Sequence, residues 1–175
     1  MTVALGVLST AHSHAHAYAD ALRSIDGAEV VAVADEDPDR GEAFADRHGI
    51  DHQSGEAVLD RVDAAVVCAE NADHADWVER AAEAGVDVLC EKPLAPTVEA
   101  ARGMVETCDA AGVTLGVAMP ARFLEPMRQA KEAVDAGELG DLTAVVGTNL
   151  LQASAIDPDG WFVDPERSGG GAIMD

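Results

Sequence analysis

The sequence predicts an α/β protein with a doubly wound parallel sheet. Three observations lead there. Short apolar runs of strand length alternate with segments of helical spacing along most of the 175 residues. The helical segments close on glycine, at Gly27, Gly49, Gly85, Gly112 and Gly137. The run 63–69 has an unbroken apolar interior, which suits a strand covered on both faces. Right-handed crossovers then leave few topologies, with the doubly wound sheet first among them.

Val3 to Leu8 reads as the first strand. From His14 to Ile25, Ala17, Ala21, Leu22 and Ile25 share one helical face. Glu29 to Ala34 is a Val-rich second strand closing on Asp35. Asp37-Pro38 opens a helix, with proline in its first turn, that runs to about His48. Asp63 to Ala69 is a strand, Ala72 to Ala84 a helix, and Val86 to Cys90 a strand. Pro96 to Ala111 is a helix with Thr97 near its start, and Val113 to Met119 a strand. Glu125 to Ala136 is a helix, and Asp141 to Asn149 begins a further strand. Beyond it lies a loop-rich stretch with Trp161, Phe162, Pro165 and the triplet Gly169-Gly170-Gly171. It reads as entry into a second domain whose remainder is missing. The expected organisation is a first domain over 1–120, then a connecting helix and incomplete second domain over 121–175.

Composition narrows the function. The formal net charge is -22, with 33 acidic residues against 11 basic ones, of which only Lys92 and Lys131 are lysine. Such a chain repels nucleic acid and anionic membrane surfaces. The acids are dispersed rather than gathered in a tail, and with lysine so scarce the surface reads as one adapted to a high-salt cytoplasm. Cys68, Cys90 and Cys108 are far apart and odd in number, a reduced-compartment pattern in which Cys68 and Cys90 serve as small core residues. No basic stretch precedes the first apolar run, so no signal peptide is evident, and no apolar run is long enough to span a membrane. A cytoplasmic location is expected.

Dinucleotide chemistry would show at the first strand-helix turn, as G-x-G-x-x-G. Here the turn reads Ser9-Thr10-Ala11-His12-Ser13-His14, with Ser9 and Ala11 in the first two glycine positions. The Ala11 methyl should crowd a pyrophosphate, although a helix amino terminus still offers N–H donors. Asp35 strengthens the reading: an acid closing the second strand can accept from ribose hydroxyls and repel a 2′-phosphate, favouring NAD over NADP. It could equally cap the helix at Pro38. His12, His14 and His16 invite a metal, as in a barrel hydrolase that opens with HxH. The other histidines are scattered, and the segment reads as a polar loop and helix start that holds no metal. Asn71 can cap the following helix or face the sheet edge. Lys92, directly after a strand in Glu91-Lys92-Pro93, should emerge at that same edge, where open α/β sheets bind ligands. There it can fix or protonate a hydroxyl; otherwise it is a surface partner of Glu91.

These segments together resemble the Gfo/Idh/MocA family of nicotinamide-dependent oxidoreductases. The resemblance rests on Ala34-Asp35 with Pro38, Asn71 with His74, Val88 through Leu94, Arg122-Phe123 with Pro126, Gly137 through Gly140, and Gly169 through Asp175. It covers essentially the whole chain in order and implies a Rossmann-type fold. It implies that Lys92 is the catalytic lysine contacting the reacting hydroxyl, and that Asp175 opens the pattern D-x-x-x-H, whose histidine would lie four residues further on. Ser9, Thr10, Ala11 and His12 then match the phosphate loop, Asp35 the ribose acid, and Asn71, Glu91 and Arg122 the cofactor's nicotinamide end, with His74 a further cofactor-binding residue. The resemblance also implies hydride transfer to or from a hydroxyl carbon of a sugar or polyol, and homo-oligomers built through the second domain. Two other classes remain: a non-catalytic nucleotide-binding module, favoured by Ser9 and Ala11, and a metal-dependent hydrolase using the histidine segment.

Overall fold

The computed structural model describes residues 2–148, 150 and 157–170. Six parallel strands form one open sheet in the order β3-β2-β1-β4-β5-β6. They are β1 (Val3–Leu8), β2 (Ala28–Ala34), β3 (Asp51–His52), β4 (Ala64–Val67), β5 (Asp87–Glu91) and β6 (Leu115–Ala118). Between them run α1 (His14–Leu22), α2 (Pro38–His48), α3 (Gly55–Leu59), α4 (His74–Glu83) and α5 (Val98–Ala111). The chain works outward from β1 through β2 to β3, then crosses back to β4. The reversal between β1 and β4 is the point where such sheets bind ligands. The sheet is open, with β3 and β6 at its edges, so the barrel hydrolase falls.

Local chemistry explains the helices. The Asp37 side chain accepts from the Asp39 and Arg40 amides to cap α2, Pro38 fits its first turn, and Gly49 closes it at φ 65°. Thr97 caps α5 by accepting from the Ala100 amide, and Gly112 closes it at φ 72°. The core lies on both faces of the sheet. Val7 and Leu8 are adjacent and both fully buried, yet Val7 packs with Val33, Phe44, Val66 and Cys68, while Leu8 packs with Val67, Trp77, Val78 and Met104. Alternating side chains that are both covered make these strands continuous apolar runs. All three cysteines are buried and free.

The register aligns the strand ends. Leu8 pairs with Ala34 on one side and Val67 on the other, and Val67 pairs with Cys90. Ser9, Asp35, Cys68 and Glu91 therefore share one edge.

Three expectations change. The span 50–62, unassigned from sequence, contains β3 and α3, which are two and five residues long and too short to show a period. The expected helix from Ala72 is a 3-10 turn (Asn71–Asp73) followed by α4. The expected strand 141–149 is not formed over its described residues 141–148: no described strand lies alongside to complete a ladder, and Val145 and Val146 are exposed.

The chain divides into two compact units. One runs through Ala118 and also includes the segment from Asp159 onward; the other is Met119–Pro158. That return of the later segment is invisible to a linear division at 120/121. The second unit carries a 3-10 turn, Pro120–Phe123, and α6 (Glu125–Asp135).

Candidate active site

The turn after β1 is pinned across the reversal point. The Ser9 amide donates to the Ala34 carbonyl at 2.7 Å, and the His12 amide to the Cys68 carbonyl at 2.9 Å. Ser9 has φ 61°, the one positive value at a non-glycine among the described residues. The first glycine position of a dinucleotide turn thus keeps its left-handed backbone here with serine in place. Ser13 precedes α1 without capping it by its side chain; the His14 amide donates to His12 Nδ1 at 3.2 Å and the Ala15 amide to the His12 carbonyl at 3.1 Å.

Asp35 is saturated. Its Oδ2 accepts from the Thr10 amide and hydroxyl, both at 2.7 Å, and from Arg40 Nε at 2.9 Å. Its Oδ1 accepts from Arg40 Nη2 at 2.7 Å and the Asp37 amide at 2.9 Å. Burial alone would raise its pKa, but the Arg40 and Thr10 hydrogen bonds outweigh that and hold it below 3.8. Asp35, a ribose acceptor by expectation from the sequence, closes β2 with an arginine already on it.

At the end of β5, Glu91 has no exposed surface. Its Oε1 faces His14 Nδ1 at 2.8 Å and accepts from the Tyr18 hydroxyl, while its Oε2 accepts from the Lys92 amide at 2.9 Å. Burial opposes the charge, but Tyr18 and His14 keep the carboxylate pKa low, and burial with Glu91 raises that of Tyr18. Glu91 thereby fixes the backbone from which half-buried Lys92 projects. His12 stands beside this group, its pKa lowered to about 4 by burial against the pull of Glu91.

The histidine run splits. One ligand atom each from His12, His14 and Glu91 lie within 4.8 Å of one another. His16 instead turns to His48, Nδ1 to Nε2 at 2.8 Å, and stacks on Phe44. Residues two apart on a helix do not share a face.

Asn71 and His74 both sit at this edge, but differently. Asn71 is buried, its Nδ2 donating to the Ser168 carbonyl at 2.8 Å and its Oδ1 without a partner. His74 is fully buried with ring nitrogens 3.0 and 3.2 Å from the Pro93 and Ala69 carbonyls. It braces the loops after β4 and β5. Arg122 belongs to the other unit and is exposed; Asp175 lies outside the described residues.

Sequence reasoning missed the segment 159–170. Trp161 Nε1 donates to the Ala11 carbonyl at 3.1 Å, and Arg167 Nε to Glu70 Oε2 at 2.6 Å. Gly169, at φ 76°, lies so close to Pro96 that a Cβ would come within 2.5 Å of it. These partners are about 70 to 150 residues apart in sequence, so no local pattern announces them.

Comparison with known proteins agrees with this geometry. Residues 5–119 match the model of an oxidoreductase family with an NAD-binding Rossmann fold, and residues 127–175 match the GFO/IDH/MocA C-terminal domain. A D-xylose 1-dehydrogenase [NADP(+)] of Haloarcula marismortui is 40% identical over 121 residues, covering 68% of this chain and 34% of the relative. D-xylose 1-dehydrogenase (NADP(+)) 2 of Haloferax volcanii is 36% identical, covering 97% of this chain and 52% of that protein. The crystal structure of an aldose-aldose oxidoreductase from Caulobacter crescentus, complexed with glycerol, superposes with TM-score 0.83 at 26% identity, covering 100% of this chain and 54% of that one. The chain spans a third to a half of the length of these relatives.

Proposed function

The chain belongs to the GFO/IDH/MocA oxidoreductase family, and we propose that it serves reversible hydride transfer between NAD and a hydroxyl-bearing carbon of a sugar or polyol. The observation that carries this reading is the position of Lys92. It follows β5 at the same sheet edge as the β1 turn and Asp35, on a backbone held by buried Glu91.

The residues present fit a dinucleotide. Ser9 keeps the glycine-like backbone, the Ser13 side chain leaves the start of α1 uncapped, and Asn71 Oδ1 is a buried acceptor without a partner. When bound, the nicotinamide ring supplies hydride chemistry. Thr10, Ala11 and His12 would line the diphosphate at the turn, and Asp35 would take the adenosine ribose by exchanging one of its present donors, Thr10 or Arg40. Lys92 would hold the reacting hydroxyl by hydrogen bonding to its oxygen, favouring loss of the proton as hydride leaves the carbon. Asp175 would orient the acid/base partner that the family pattern calls for. Full-length assembly into homo-oligomers and a cytoplasmic location belong to the same proposal. No helix among the described residues is long and apolar enough to cross a membrane.

NAD titration, followed by NAD reduction assays over a panel of aldoses and polyols, tests the reading. Saturable NAD binding with turnover of at least one sugar supports it. Saturable binding without turnover of any would favour the non-catalytic module. Absence of binding would remove both.

A further inference from the structure

We propose that His12, His14 and Glu91 form a binding site for one divalent transition-metal ion at the edge of the sheet. Two imidazoles and one carboxylate are a common ligand set for zinc and for iron, manganese or cobalt in their divalent states. Their ligand atoms lie within 4.8 Å of one another, against roughly 3.3 Å between neighbouring ligands around a tetrahedral zinc. Closing that gap takes up to about 1.5 Å of side-chain movement, which a half-exposed His14 ring can supply.

The surroundings are those of a ligand set. Glu91 has no exposed surface, His12 is 7% exposed, and the His14 side chain is 42% exposed, so the cluster is dry on two sides and open on one. Tyr18 donates to the same Glu91 oxygen that faces His14, an outer partner that would orient the carboxylate. The His14–Glu91 contact at 2.8 Å is closed by one proton, and a metal ion would take that proton's place. His12 gives up little: its Nδ1 accepts from the His14 amide at 3.2 Å, and ligation through either ring nitrogen forfeits only that contact. The Lys92 ammonium opposes a cation here, and the Glu91 carboxylate opposes Lys92. The expectation of no metal rested on the scatter of the remaining histidines; the third ligand is a glutamate 77 residues from His14.

The test uses the whole chain purified without a histidine tag and stripped with EDTA. Cobalt(II) chloride is added while visible absorption is followed, and zinc chloride is titrated by calorimetry, both without dinucleotide. One equivalent per chain is expected, with a ligand-field spectrum of low coordination number. His14→Ala should weaken binding by roughly tenfold or more, Tyr18→Phe by about 10-fold to 100-fold, and His16→Ala should leave it unchanged. His14→Ala should still fold, because Glu91 retains Tyr18 and the Lys92 amide, and circular dichroism checks this. Absence of saturable binding, or equal affinity in His14→Ala, or equal loss in His16→Ala, overturns the site. The readout is independent of NAD titration, so failure here leaves the oxidoreductase reading standing, and the converse holds.

Discussion

Arg40 closes on Asp35 through two charge-assisted hydrogen bonds, Nε to Oδ2 at 2.9 Å and Nη2 to Oδ1 at 2.7 Å. The acid that should receive a ribose is therefore already paired, and the arginine that could receive a 2′-phosphate is already neutralised. Asp37 and Glu70 also act on Arg40, so the local charge is negative. We expect NAD to bind more tightly than NADP, and Asp35→Asn to narrow the gap by roughly tenfold, since one like-charge repulsion is removed. Calorimetric titration of both cofactors decides. Equal or tighter NADP binding by the unaltered protein would sink the assignment of Asp35.

The same pair sets an acid limit on stability. The folded pKa of Asp35 is depressed, so its contribution is present above the unfolded value near 3.9 and is lost as pH falls through the lower folded value. Melting temperature should drop along this limb in the unaltered protein, and Asp35→Asn should flatten it while costing about 1–3 kcal/mol at neutral pH. An unchanged acid limb in the variant would contradict the ionised, hydrogen-bonded carboxylate.

Ser9 holds a left-handed backbone that β-branched residues resist. Ser9→Val should destabilise by about 2–3 kcal/mol, whereas Ser9→Gly should stay within about 1 kcal/mol of the original. Urea unfolding of the two variants checks this, and equal stability would deny the strain.

Salt should stabilise the fold. With a net charge of -22, self-repulsion weakens as the Debye length falls from about 10 Å at 0.1 M to about 3 Å at 1 M. The melting temperature should rise between low and molar KCl. A flat response would refute adaptation to high salt.

Lys92 carries the functional reading. Lys92→Met should lower kcat by roughly 10²–10⁴-fold with NAD affinity nearly intact, because its contribution grows in the transition state. Arg should substitute poorly, since a guanidinium does not readily yield a proton. A lysine serving only as an exposed partner would cost at most about 1 kcal/mol of stability and leave the rate untouched. Near-normal kcat in Lys92→Met would remove the main support for a dehydrogenase mechanism at this edge.

The sequence by itself determined the layers and most of the elements, because those depend on neighbours a few residues apart. Asp37-Pro38 and Thr97 start helices through contacts within one turn, and Gly49 and Gly112 end them by taking a conformation other residues resist. Covered runs such as 64–67 announce a strand buried on both faces, and the order of elements places Ser9, Asp35 and Lys92 at one edge. Tertiary structure alone decided what those residues touch. The ring of His14 meets Glu91 across 77 residues, and Trp161 meets the Ala11 carbonyl across 150. Asp35 takes Arg40 as its partner, where the sequence equally allowed a free ribose acceptor or a helix cap. The stretch 142–148 has strand-like residues without a strand, since a ladder needs a neighbour that sequence pattern cannot supply. Periodicity reports which face of an element is apolar; only packing chooses the side chain opposite.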